Sequence, residues 1–111
     1  METFYTILRA DGTQERGCVD WPLTPDYKQI LDLVSLHLGT DQMEHVFIFG
    51  DKNLYQDMFV DEIGHWKNLT RNEEATRLYR RNTLQHKPGT DPERMPYIVG
   101  AAVVFDRIVW T

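Results

Sequence analysis

The run from Ile98 to Phe105, eight residues without a charged or polar side chain, constrains this chain more than any other feature. It is too short to cross a bilayer as a helix, which takes about 20 residues. Its valines and isoleucine favour an extended backbone. A strand so continuously apolar hides its side chains only when both of its faces are covered. Tyr97–Phe105 is therefore expected as an inner strand of a sheet, and the rest of the chain must supply neighbours and cover.

Those neighbours are legible. Thr3–Leu8 and Gln14–Val19 have strand character, and Asp11-Gly12 between them is a strong hairpin signal, because glycine takes the positive φ of a tight turn. Glu44–Phe49 and Tyr55–Val60 read as a second strand pair, joined by a turn at Gly50-Asp51-Lys52-Asn53. Ile108-Val109-Trp110 reads as a last short strand. A first helix is expected at Pro25–Leu38, with Thr24 as cap, Pro25 and Asp26 in the opening turn and Gly39 at the stop position. Tyr27, Ile30, Leu31, Val34 and Leu38 fall on one face of it. A second helix is expected at Arg71–Asn82. Thr70 and Glu73 fit a capping box, Glu73 and Glu74 suit its start, and Arg80 and Arg81 suit its end. Thr83–Pro96, with three prolines, reads as a long mobile surface loop. The fold class is thus α+β: one domain over residues 1–111, a small antiparallel or mixed sheet with two helices packed on it. Leu31, Val34, Phe47, Leu78 and Val103 are its expected core.

The length of 111 residues suits one hydrophobic core and no more. An apolar fraction of 41% and a charged fraction of 26% argue against disorder. The N-terminus lacks the basic start and apolar run of a signal peptide. A single cysteine, Cys18, allows no internal disulfide, so a reducing, cytoplasmic setting is expected. The net charge of −5 is unevenly spread. Residues 1–64 carry twelve acidic and four basic side chains, a net of −8, whereas residues 65–94 carry seven basic and four acidic, a net of +3. Such polarity can steer partners. The overall acidity speaks against binding of duplex nucleic acid, which needs many phosphate contacts.

Catalytic signatures are weak. His37, His45, His65 and His86 show no metal spacing. Cys18 has no base beside it in the sequence. No phosphate loop or nucleophile motif is present, so neither an enzyme nor a cofactor is expected. Two groups of residues remain as candidate binding surfaces. One is basic: Arg77, Arg80 and Arg81 on the second helix, with Tyr79 and Lys87 nearby. Arginine forks clamp oxyanions, and an aromatic face can stack a base. The other is acidic: Asp57, Asp61 and Glu62, suited to a cation or to mimicry of phosphates, or simply a solvated hairpin.

Two stretches carry a resemblance. Phe59-Val60-Asp61-Glu62-x-Gly64 is followed by Leu69-x-x-Asn72-x-x-Ala75-Thr76-x-Leu78-Tyr79. Ile98-Val99-Gly100-x-Ala102-Val103-Val104-Phe105 closes the chain. Together they resemble a family of small proteins of unknown function common in bacteriophages, plasmids and other mobile elements. Where that family has Leu-Pro, this chain has Leu69-Thr70. The resemblance implies no catalytic residues. With the small size and acidity, it points to a module that binds and modulates a host protein, a defence factor among the candidates, in the host cytoplasm. A small-ligand or nucleotide-sequestering protein, with Arg77, Arg80, Arg81 and Tyr79 around a pocket, is the alternative. A homodimer is left open.

Overall fold

The computed structural model describes residues 1–50 and 54–110. Five strands form one antiparallel sheet in the order β2-β1-β5-β4-β3. They are β1 (Glu2–Leu8), β2 (Gln14–Asp20), β3 (Met43–Phe49), β4 (Tyr55–Asp61) and β5 (Ala102–Phe105). Two helices accompany them, α1 (Tyr27–Leu38) and α2 (Glu73–His86), with a short 3₁₀ turn at Pro92–Arg94. The sheet is two hairpins, β1-β2 and β3-β4, stitched together by β5. Thr6 faces Val104 on one side of β5, and Met58 faces Val104 on the other. Of the expected turn joining β3 to β4, only Gly50 lies within the described residues.

Alternation along β5 divides the interior into two clusters. Ala102 and Val104 point toward α2 and pack with Leu8, Ile48, Met58, Val60, Ala75 and Leu78. Val103 and Phe105 point the other way, joining Ile30, Val34, Trp21, Phe59 and Val109. All four β5 side chains are buried. The apolar run is thus an inner strand covered on both faces, as its composition requires.

The strand is shorter than the apolar run. Gly100 has φ 76°, and a side chain there would meet Leu69 at 2.7 Å. The chain therefore swerves before Ala102. Ile98–Gly100 instead run beside residues 70–72: Asn72 N donates to Ile98 O and Gly100 N to Thr70 O, each at 2.8 Å. Ile108–Trp110 form no strand either. The Val109 and Trp110 amides are captured by a side chain described below.

Local signals shifted the element ends. Asp26, one residue beyond the expected Pro25 start, caps α1 in a reciprocal capping box with Gln29, and Gly39 stops it with φ 73°. Asn72, not Thr70, caps α2, which then runs one turn past Asn82 to His86. The expected loop is correspondingly shorter, and it is tied down by Met95, which is 6% exposed. At the β1-β2 turn, Gly12 takes φ 90° as Asp-Gly demands. There the Thr13 hydroxyl and amide hold the Asp11 carboxyl below its ordinary value. Of the expected core, Val34, Leu78 and Val103 are buried, while Leu31 is half-buried. Phe47 is 47% exposed. It sits on edge strand β3, opposite Asp57, and packs edge-on against His45 without joining either cluster.

Candidate functional site

Positions 73, 76, 77, 80, 81 and 84 recur at the helical spacing of three and four, so they share one face of α2. That face forms a wall of an open groove of about 590 Å³. Arg71, Arg77, Arg80 and Arg81 line it, with Glu73, Thr76, Leu84, Gln85 and Pro92. The structure brings together the three arginines expected from the sequence and adds Arg71. Periodicity could not reveal Arg71, because it precedes the helix. Its place is fixed by a bridge to Val99 across the chain.

Each guanidinium is positioned by its surroundings. Arg71 lies over the Tyr97 ring, 5.0 Å from the centroid. Arg77 pairs with Glu74, its Nη2 donating to Oε1 at 2.5 Å. Arg80 donates through Nη2 to Met95 O at 3.2 Å, holding the proline-rich segment against the helix. Arg81 sits 6.0 Å from the Phe49 ring centroid. Thr76 is buried, and its Oγ1 accepts from Ile98 N at 2.9 Å. The groove therefore has a hydrogen-bonded floor and a strongly cationic wall. Chemically, it is suited to oxyanions, which arginine forks bind through several N–H groups at once.

Tyr79 and Lys87 do not join this groove. Tyr79 is half-buried on the other side of α2, packed against the first cluster with Val46 and Ile98. It cannot stack a ligand held by the arginines. Lys87 ends the helix, its amide donating to Thr83 O, and its side chain points to solvent.

The acidic candidates are corrected more sharply. Asp57 is 0% exposed. Its Oδ2 accepts from Val109 N at 2.7 Å and Trp110 N at 2.8 Å, and its Oδ1 meets His45 Nε2 at 2.5 Å. His45 in turn stacks on the Trp110 indole. The carboxylate is thus a latch for Val109 and Trp110. Asp61, 8% exposed, accepts from Ile63 N and from Lys67 Nζ at 2.7 Å, which fixes the turn after β4. Only Glu62 of the three is exposed. A buried carboxylate needs such partners, and neither Asp57 nor Asp61 forms an outward acidic patch. Among the described residues, no three His, Cys, Asp or Glu side chains gather as a metal site would require, and no helix is long and apolar enough to cross a membrane.

The turn after β4 carries a feature that the sequence reading passed over. Trp66 is 89% exposed there. The neighbouring His65 packs edge-on against Tyr97, the ring on which Arg71 lies. Isolated polar-aromatic turns give no periodic signal, so only the fold shows that this one stands next to the arginines. Comparison with family models, with curated proteins and with solved structures finds no match to this chain, and its function is read from the groove itself.

Proposed function

We propose that this chain is a non-enzymatic protein-interaction module of the kind carried by phages and mobile elements, and that it engages an anionic surface of a host protein through the α2 groove. One observation carries the reading: four arginines line a single groove in a chain whose net charge is −5. Interfaces favour arginine and aromatic residues, and complementary charge speeds encounter. Tyr97, on whose ring the groove's Arg71 lies, and the exposed Trp66 beside His65 supply the apolar contact area that a charged patch lacks. The size of the groove, within the range of ligand pockets, favours a second reading, a small anionic ligand held by sequestration.

The test is capture from a bacterial host extract with the wild type, the Arg77→Ala/Arg80→Ala/Arg81→Ala variant and Arg94→Ala as control. Arg94 is exposed and outside the groove. Capture is expected to fail for the triple variant and to weaken with salt, while the control binds normally. Melting should fall only modestly, since the exposed Arg77–Glu74 pair contributes about 0–1 kcal/mol and the Arg80 hydrogen bond to Met95 O about 0.5–1.5 kcal/mol. Undiminished capture by a folded triple variant at every salt concentration would place the contact elsewhere.

A further inference from the structure

Two of the groove-lining arginines each carry an N–H without a hydrogen-bond acceptor. The Nε atoms of Arg71 and Arg80 are shielded from solvent and donate to nothing among the described residues. Both arginines line the same groove. Arg71 Nε lies 2.9 Å from Glu73 Oε1, an ion-pair distance, but its N–H is not directed at that oxygen. The Glu73 side chain is 78% exposed and is easily drawn into water. The third such buried atom, Asn82 Oδ1, belongs to a different cleft, with Phe47 and Tyr55. Native proteins leave few buried polar atoms unpaired. Two donors in one groove call for an acceptor brought from outside.

We propose that the groove seats a phosphate group between Arg71 and Arg80. The inference rests on the reading of the groove as a binding surface and names what that surface reads. Phosphate fits better than carboxylate on geometry. A carboxylate is planar and pairs best with one guanidinium fork, whereas the tetrahedral oxygens of phosphate accept from donors converging on different sides. The seat is partly preorganised: Arg71 is held over Tyr97, and Arg80 is held by Met95 O. Turning each guanidinium so that its Nε–H meets the ligand completes the seat.

The experiment follows the arginine Nε–Hε resonances of the full chain by NMR during titration with inorganic phosphate, at ionic strength held constant with chloride. Arg71 and Arg80 are expected to shift together on one saturating curve. Acetate at equal concentration should leave them unmoved, and Arg94 should not respond. Arg80→Lys keeps the charge and removes the fork, so the Arg71 response should weaken at least tenfold. Arg71→Lys, read at Arg80, is the reciprocal variant should the first fail to fold. A nucleoside monophosphate distinguishes the source. Tighter binding than inorganic phosphate assigns the seat to a nucleotide, and equal binding assigns it to the phosphate alone. Linear, unsaturated shifts, an acetate response equal to that of phosphate, or an Arg80→Lys variant that binds normally would overturn the proposal. Loss of host-protein capture in the triple variant without phosphate saturation would remove the seat and leave the interaction surface standing. Phosphate saturation with arginine-independent capture would do the reverse.

Discussion

At the scale of single residues, Asn72 holds more of this molecule together than its composition suggests. It is 1% exposed. Its Oδ1 accepts from Ala75 N as the α2 cap, and its Nδ2 donates to Leu8 O at 2.9 Å and Gly100 O at 2.8 Å. One amide thus joins a helix start, the end of β1 and the swerve before β5. Aspartate is as good a helix cap as asparagine, but it cannot donate, and its carboxylate would face two carbonyl oxygens. Asn72→Asp is therefore expected to destabilise at least as much as Asn72→Ala. Asn72→Ala should lose the ~1 kcal/mol of the cap and roughly 1–3 kcal/mol for the carbonyls left unpaired, and Asn72→Asp, which keeps the cap, at least as much through the repulsion between its carboxylate and those carbonyls. Chemical denaturation at neutral pH checks this, and an Asp variant as stable as the wild type would reduce Asn72 to a cap. The sequence showed the helix start and placed its cap two residues early, because Thr70-x-x-Glu73 is the stronger local pattern. Which residue caps was decided by Leu8 and Gly100, neither of them nearby in sequence. Asp57 teaches the same lesson about charge. Its side chain counts as acidic surface in any sequence average, but the fold places it under Val109 and Trp110.

At the scale of elements, type and order were legible except for the expected last strand at Ile108–Trp110, while phase and ends were not. The first helix shows why. Apolar residues occupy positions 30, 31, 33, 34, 36 and 38, so several faces satisfy helical periodicity almost equally. The sheet chooses the face carrying Ile30, Leu33, Val34 and Leu38, and it leaves Tyr27 57% and Leu36 74% exposed. Leu31 sits on the flank and belongs to neither buried cluster. Ile30→Ala is accordingly expected to cost about 2–5 kcal/mol, and Leu31→Ala well under half as much. Thermal melts of the two variants side by side provide the measurement, and equal losses would mean the helix is rotated from its described position. On the second helix, the arginine face was readable because charge and period coincide there. Tyr79 was misassigned because neighbouring positions on a helix point about 100° apart, so adjacency to arginine in the chain is not adjacency in space.

At the scale of the whole molecule, the controlling fact is that the last strand joins the first hairpin to the second. Tyr5 pairs with Phe105 and Phe59 with Val103, contacts that span nearly the entire chain and less than half of it respectively. Without β5, strands β1 and β4 share no partner. The α2-side cluster then loses Ala102 and Val104, and the α1-side cluster loses Val103, Phe105 and Val109. The β3-β4 hairpin then keeps only Ile48, Met58 and Val60 against Ala75 and Leu78 of α2, and the β1-β2 hairpin keeps less, while two-stranded hairpins are marginal in water without more cover. Folding should therefore be all-or-none across both layers, with slow closure because the decisive pairings are long-range. Residues 1–96 alone are expected to give a collapsed NMR spectrum and little cooperative melting. In the full chain, fluorescence of the buried Trp21 and the helical circular-dichroism signal should melt at one temperature. Trp21 reports on the α1 side, where its ring lies 5.3 Å from that of Phe105. Two separated transitions, or a dispersed spectrum from residues 1–96, would show that one layer stands without β5. The same architecture bears on the groove. Arg71 is placed by its bridge to Val99, on the approach to β5, whereas Arg77, Arg80 and Arg81 are placed by the helix. Phosphate binding that needs Arg71 should therefore vanish from residues 1–96 even if α2 is restored by a helix-promoting cosolvent, because three arginines on a helix make a charged stripe and only the joined sheet makes the seat.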